Sequence, residues 1–456
     1  MTDNENRPRW FAEIGRLLRL AGPLIVNNLS IAGMQFADAV MSGRINARTL
    51  AAVAVGGSVW FFMFTVGLGI LMAISPIAAR HHGAGNPELI GRYTRQGLYL
   101  GFALAIPVIA IGQYAVQPLL ESIGIDPDFR ELTIGYTKAI TLGAPGIFLF
   151  LALRFTTEGL GLTKPIMYTS IFAFLCNVFL NYVLMYGHFG APALGAIGCG
   201  LASAITMWLI ALIMAVYVLG SRVYRPLRIF ARFGLPRPYV LREILAIGVP
   251  IAVTITAEAG LFNAVAVLMG TRGTEITAAH QIAINFAATM FMVPLALSSA
   301  ITIRVGHELG AGELRRARFA GGFGIVVCGA FMAMSAVYLL VFNEFVVGIY
   351  TDDPIVKNIA VSLLLMAAIF QIADGVQIGA AGALRGYKDT KMPMVINTFA
   401  YWVLAFPLAY LAAVTYQLPP NMIWGGFVVG LTIAALLLTW RYARLSTAYL
   451  GPQPSP

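Results

Sequence analysis

Long apolar runs alternate with short polar breaks along almost the whole chain. A helix that crosses the hydrocarbon core of a bilayer needs about 20 mostly apolar residues. Twelve stretches qualify: 15–40, 51–79, 93–117, 134–160, 165–186, 194–219, 241–270, 278–306, 320–350, 357–386, 393–415 and 421–445. The breaks carry turn chemistry, as in "HHGAGNPE", "GIDPDF", "GLGLTKP", "RFGLPRP", "ELGAGEL" and "RGYKDTKMP". There Gly, Pro, Asn and Asp supply the backbone angles that loops require. The pattern predicts an all-α polytopic membrane protein with twelve transmembrane helices. The opening "MTDNENRPRWFAEIGRLLRL" is polar and basic. No short apolar region there precedes a small-residue cleavage site, so no cleaved signal is expected.

Composition supports that class and narrows the rest. Of 456 residues, 59% are hydrophobic and 11% charged, whereas soluble domains carry about 25% charged residues. The net charge of +10 resembles that of a nucleic-acid binder, but the basic residues sit in loops between apolar runs, so nucleic acid is not an expected partner. One set of loops and both ends hold twenty-three Lys and Arg, among them Arg7, Arg16, Arg80, Arg232 and Arg315. The opposite loops hold six: Arg44, Arg48, Arg130, Lys138, Arg272 and Lys357. Basic loops stay on the cytoplasmic side, so both termini and the central loop are expected there. Cys176, Cys199 and Cys328 lie inside apolar runs. An odd number of such thiols argues against a disulfide framework, and each reads as a small packing residue. No "GxxxxGK[ST]" phosphate loop occurs, which argues against ATP-driven export by this chain. No enzymatic activity or cofactor is expected.

The chain also repeats itself. A shift of 227 residues places Pro23 on Pro250, Gly43 on Gly270, and "GAG" at 83–85 on "GAG" at 310–312. It also places Gly159, Thr163 and Lys164 on Gly386, Thr390 and Lys391. Each repeat has six spans, an even number, so the halves enter the membrane in the same direction. This predicts two pseudo-symmetric lobes, 1–219 and 241–456, joined by a cytoplasmic basic linker at 220–240. Transporters built from such parallel repeats bind substrate near the midplane and work by rocking. The linker reads as a solvated tether, with contact to anionic lipid headgroups as the alternative.

Few charges remain inside the spans. Asp38, Glu258 and Asp374 lie deep in spans one, seven and ten. An ionised acid at a helix centre costs about 3 kcal/mol on insertion scales, so such groups persist mainly where they have a task. Under the 227-residue shift they meet Val265, Ile31 and Ile147. The scaffold is duplicated, but the acids are not. Arg154 and Glu158, four apart in span four, read as a structural ion pair on one helix face. Asn177 and Asn181, also four apart, and Ser203 could surround Asp38 with oxygens; plain interhelical hydrogen bonding is the competing reading. Gln281 and Asn285 are expected near Glu258 and Asp374. Carboxylate, amide and hydroxyl oxygens suit a hard cation such as Na⁺, or a proton. Na⁺ sites are therefore expected at Glu258 with Asp374, or at Asp38 with Asn177 and Asn181. His280 reads as a packed polar residue, because no Cys or His partner has ligand spacing. The Met and Phe residues of spans two and eight read mostly as packing, some as the lining of a pliable pocket.

At these residues the chain resembles the multidrug and toxic compound extrusion (MATE) transporters, in particular their bacterial NorM-like branch. The resemblance covers nearly the whole chain. It rests on the two six-helix lobes, "AGPLIVNNLSIAGMQFADAVMSG", the "GAG" loops, "VPIAVTITAEAGLFN" and "ADGVQIGAAGALRGYKDTKMP". The family resemblance implies a MATE/MOP-type fold in the bacterial inner membrane, acting as a monomer among membrane lipids. It implies efflux of cationic, amphipathic drugs in antiport with Na⁺ or H⁺ by alternating access. It assigns Glu258 and Asp374 to cation coupling and substrate binding, and Asp353 in "YTDDP" to cationic substrate. It matches Asp38, Asn177, Asn181 and Ser203 to a first-lobe cation cluster. Phe370 stands where some relatives have Tyr, keeping an aromatic face and losing a hydroxyl oxygen. A lipid-linked precursor flippase of related fold is the alternative. It calls for several cavity-facing Arg or Lys, and only Arg154 qualifies.

Overall fold

The computed structural model describes residues 9–122, 124, 126–230 and 235–451. Arg7, Arg232, the ends of the expected lobes (1–8 and 452–456) and residues 231–234 within the expected linker lie outside the described residues. Among the described residues there are helices and no strands. In chain order the α-helices are α1 (Arg9–Ile45), α2 (Ala47–Met72), α3 (Ile74–Gly83), α4 (Pro87–Ala110), α5 (Val116–Ser122), α6 (Pro127–Thr141), α7 (Ala144–Gly159) and α8 (Lys164–Tyr186). They continue as α9 (Gly195–Gly220), α10 (Pro238–Gly270), α11 (Thr274–Gly310), α12 (Leu314–Gly348), α13 (Pro354–Gly386), α14 (Lys391–Thr398), α15 (Phe406–Tyr410) and α16 (Pro420–Tyr449). Short π-helical turns join α4 to α5 (Ile111–Ala115) and α14 to α15 (Phe399–Ala405), and another, Leu411–Thr415, follows α15.

Among the described residues, eleven helical spans are long and apolar enough to cross a membrane individually, and a bent pair makes a twelfth. That pair is Phe129–Thr141 with Ala144–Gly159, meeting at 44°. The break falls at "TLGAPG", where Pro145 has no N–H to donate to the carbonyl of Thr141. Span four is therefore two helices where the hydropathy pattern predicts one.

The chain divides into two compact units. One runs to Gly22 and resumes at Val253; the other is Pro23–Ala252. The divisions fall beside Pro23 and Pro250, which match in the repeat. Each of these prolines lies within a continuous helix and removes one intrahelical hydrogen bond. The start of α1 therefore packs in the C-terminal unit. Leu17 and Ala21 are fully buried there with Leu297, Ala300 and Ile301, and Trp10 meets Phe319 and Phe323 edge-on at 5.5 and 5.6 Å.

The start of α10 packs reciprocally in the N-terminal unit. A Cβ on Gly248 would fall on the Ile70 carbonyl oxygen, so only glycine permits this backbone approach, the small-residue packing typical of membrane helices. Tyr93 donates a hydrogen bond to Glu243, Arg92 bonds the Tyr239 hydroxyl at 3.0 Å, and the Arg237 N–H donates to Gln96 at 2.8 Å. The linker is anchored in this unit as well. Tyr224 and Leu227 are buried, and Arg95 donates to the carbonyls of Arg228 and Ile229.

In the C-terminal unit α13 runs between α11, α12 and α16. Small residues let it approach closely. A Cβ on Gly382 would lie 2.5 Å from the Ser298 carbonyl oxygen, and one on Gly375 2.8 Å from that of Cys328. Ser298 and Thr302 then donate to the carbonyls of Ile378 and Gly382, both at 2.8 Å. These bonds set the depth and rotation of the helix that carries Asp374.

Candidate functional site

Two buried polar groups stand out, one in each unit. In the N-terminal unit, Asn177 and Asn181 share a face of α8 because four residues make about one helical turn. Asn181 Nδ2 donates to Asp38 Oδ1 at 2.5 Å and to Asn177 Oδ1 at 3.2 Å. Asn177 Nδ2 donates in turn to Ser203 Oγ on α9 at 3.3 Å. All four residues named from the sequence meet here. Asn177 and Asn181 are buried, Asp38 is half-buried, and Asn181 Oδ1 is enclosed without a hydrogen-bond partner. Cys199 also bonds Asp38. Sequence reasoning placed it among the packing residues. The available signal was its position four residues before Ser203, on the same face of α9.

In the C-terminal unit, α10 carries Glu258, half-buried, and α13 carries Asp374, buried. The two carboxyl groups act on one another electrostatically. Among the described residues, neither is in an ion pair. Asp374 Oδ1 has no hydrogen-bond partner, nor do two amide atoms one turn away on either side, Gln371 Nε2 and Gln377 Oε1. Gln371 Oε1 accepts from Ser335 at 3.0 Å, and Gln377 Nε2 donates to the Tyr401 hydroxyl at 2.9 Å. Tyr401 lies in the π-helical turn Phe399–Ala405, where the Phe406 N–H reaches back five residues to the Tyr401 carbonyl. The next residue, Trp402, donates from Nε1 to the Ala257 carbonyl at 3.1 Å, which ties this turn to α10 beside Glu258. Gln377, Tyr401 and Gln371 were not singled out in the sequence. Polar residues in a long apolar run are common, and only the packing shows which ones converge.

Several other expected residues stand elsewhere. Gln281 and Asn285 are exposed on the surface of their helix. Phe370 is fully buried, packed against Trp424 and Phe427 at 5.7 and 5.8 Å between ring centres, so its ring belongs to the core. Asp353 caps α13, accepting from the N–H groups of Ile355 and Val356. Twenty-one residues of helix separate it from Asp374, about 30 Å at 1.5 Å per residue. His280 is packed as expected, its Nδ1 accepting from Trp424 Nε1 at 3.1 Å. Arg154 Nε and Glu158 Oε2 are 3.9 Å apart. The firmer contact of Arg154 is from its NH2 to the Asn27 amide oxygen, 3.1 Å in the amide orientation that satisfies both groups.

Among the described residues, no three His, Cys, Asp or Glu side chains cluster as a metal site. Each polar group instead offers one or two carboxylates beside amide and hydroxyl groups: Asn181 and Ser203 in one unit, Gln377 and Tyr401 in the other. Such sets suit a weakly held hard cation or a proton.

Comparison with known proteins agrees with this architecture. A family model described as MatE matches residues 23–183 and again 250–411, so its two matches start at the paired prolines. The chain is 40% identical over 443 residues to multidrug resistance protein PmpM of Pseudomonas aeruginosa, covering 96% of this chain and 93% of that protein. It is 39% identical to multidrug resistance protein MdtK of Photorhabdus laumondii, with 97% of each chain covered. In fold it is similar to the crystal structure of a eukaryotic MATE transporter, AtDTX14, with a TM-score of 0.87 at 22% identity, over 97% of this chain and 99% of that one.

Proposed function

Because the chain belongs to the multidrug and toxic compound extrusion family of membrane transporters, we propose that it is a secondary active antiporter. It exports cationic, amphipathic small molecules across the bacterial inner membrane in exchange for Na⁺ or H⁺, as a monomer with both termini in the cytoplasm. The observation that carries this reading is the carboxyl pair Glu258 and Asp374, which has no Lys or Arg ion-pair partner among the described residues. Two carboxylates close together in a low-dielectric interior repel one another, and leaving either ionised and uncompensated is costly. The missing positive charge is the transported one. A drug cation and a coupling ion compete for the same pair, so entry of Na⁺ or H⁺ from outside weakens drug binding and favours its release outward. Asp38 with Asn177, Asn181 and Ser203 forms a second ion-coupling group by the same chemistry. The names of the relatives support drug-like substrates.

The test is dye efflux from proteoliposomes containing the full chain. A cationic dye is loaded, and a Na⁺ gradient or a pH gradient is imposed separately. Glu258→Gln and Asp374→Asn should abolish the response to whichever gradient drives the parent. Efflux at the parental rate in both variants would refute the scheme.

A further inference from the structure

The bond between Gln377 and Tyr401 has a direction. The amide Nε2 donates and the phenol oxygen accepts, so the hydroxyl proton of Tyr401 remains free for another acceptor. Two carboxyl groups act on the phenol electrostatically, Glu258 and Asp374, and Asp374 Oδ1 is buried without a partner. Geometry limits where the phenol can go. It is held on one side by Gln377, one turn from Asp374 on α13. On the other side the Trp402–Ala257 bond fixes the turn beside Glu258. The π-helical conformation at Phe399–Ala405 is rare and recurs at functional sites.

The repeat supplies a second, independent argument. Under the 227-residue shift Asp374, Gln377 and Tyr401 fall on Ile147, Phe150 and Phe174, and Glu258 falls on Ile31. The matching positions of the other half are all apolar, and the matching stretch of α8 is regular α-helix. Phenol, amide and acids are thus present together in one half and absent together from the other.

We propose that Tyr401 is a positioning residue for the coupling ion. While the Glu258/Asp374 pair is ionised and empty, Tyr401 donates its hydroxyl proton to it. It gives up that bond when Na⁺ or H⁺ neutralises the pair. Gln377 aims the hydroxyl through its Nε2 donor. Tyr401 thereby holds the empty site ready and weakens ion binding enough for release. This rests on the acid pair being the coupling site.

The full chain in proteoliposomes, with a cationic dye, tests it. Tyr401→Phe keeps the ring and removes the competing donor, so the ion binds more tightly. The Na⁺ concentration, or H⁺ concentration, for half-maximal efflux should fall about tenfold, the scale of a hydrogen bond to a charged group. In a pH profile the midpoint moves to higher pH by about one unit. The titratable groups in the apolar stretches around this turn are Glu258 on α10, His280 on α11, Cys328 and Tyr338 on α12, and Asp374 on α13, with none on α16 before Arg441. His280 is already bonded to Trp424. Gln377→Leu should shift the midpoint in the same direction, and the double variant should go no further than Tyr401→Phe, since both act through one bond. Gln377→Leu leaves the phenol in place and carries the test alone if thermal melts show Tyr401→Phe to be misfolded. Parental ion dependence and pH profile in both single variants would overturn the proposal. Asp374→Asn separates the two ideas. If it uncouples efflux while Tyr401→Phe and Gln377→Leu stay parental, only the role of Tyr401 fails. If Asp374→Asn is itself parental, the coupling site is elsewhere and both fail.

Discussion

Arg304 grips Glu13 across 291 residues of sequence, with hydrogen bonds of 2.8 and 3.1 Å, and turns a third to Glu308 at 2.7 Å. Glu13 is 4% exposed. Through this network the first turns of α1 are held in the C-terminal unit. Glu13 keeps a second, longer pairing with the exposed Arg16 at 3.4 Å, so removing Arg304 leaves the buried carboxylate only partly compensated, at a cost below the about 3–5 kcal/mol of breaking an isolated buried pair. Arg304→Ala should therefore lower the thermal unfolding temperature in detergent. Glu13→Gln, which keeps the shape and one acceptor, should cost less. Equal melting of parent and both variants would show that the network does not anchor the segment.

Trp424 supplies the hydrogen bond that satisfies buried His280, and its ring packs on Phe370 and Phe427. Trp424→Phe keeps an aromatic ring but leaves His280 Nδ1 without a donor. The expected loss is about 1–3 kcal/mol for the unsatisfied group, with a further loss from the smaller ring. A thermal melt checks it, and His280→Leu combined with Trp424→Phe should recover part of the loss because no polar atom is then stranded.

Close approach of α13 to α11 depends on Gly382. A Cβ there would fall 2.5 Å from both the carbonyl and the hydroxyl oxygen of Ser298. Gly382→Ala should cost about 1–3 kcal/mol, the range for forcing extra volume into a packed interior, and Gly382→Val should cost more. Because α13 carries Asp374, the half-maximal driving-ion concentration of Gly382→Ala should also change. Unaltered melting and ion dependence would mean that the two helices separate without consequence.

Asn181 Nδ2 holds Asp38 and Asn177 together. Asn181→Leu removes the donor to a carboxylate, an interaction worth about 1.5–3 kcal/mol. With that donor gone the ionised, empty Asp38 is less stabilised and takes up Na⁺ or H⁺ more readily, so ion-driven dye efflux should need about tenfold less driving ion for the half-maximal rate. Asn181→Gln should rescue incompletely, since its amide is displaced by one methylene. Parental ion dependence in Asn181→Leu would remove the N-terminal group from the coupling scheme.

Much of this protein was legible in its residues because lipid is a demanding solvent. A spanning helix must satisfy its backbone internally and show an apolar surface, so twelve runs could be marked from hydropathy alone. The repeat was visible because glycines and prolines in turns and close contacts tolerate little replacement. The polar residues were harder to sort. Asp38, Asn177, Asn181 and Ser203 do converge, since helical spacing puts the two asparagines on one face. Gln281 lies in the expected span but is exposed, and Phe370 turned into the core. A single residue shifts by about 100° around a helix axis, so span assignment does not decide facing. Tyr401 and Gln377 passed unnoticed because a phenol or an amide in an apolar run has many innocent roles.

By itself the sequence determined class, span order and duplication, and it marked three unduplicated acids, because burial in lipid and backbone satisfaction are local demands that every segment must meet. Only the tertiary structure decided that α1 and α10 each divide between units at their paired prolines. It alone brought Tyr401 between the helices carrying Glu258 and Asp374, and placed Asp353 on a helix end far from both. Those outcomes depend on which surfaces meet across hundreds of residues. A proline marks where a helix loses a hydrogen bond, but the partner that then receives each half is chosen by long-range packing.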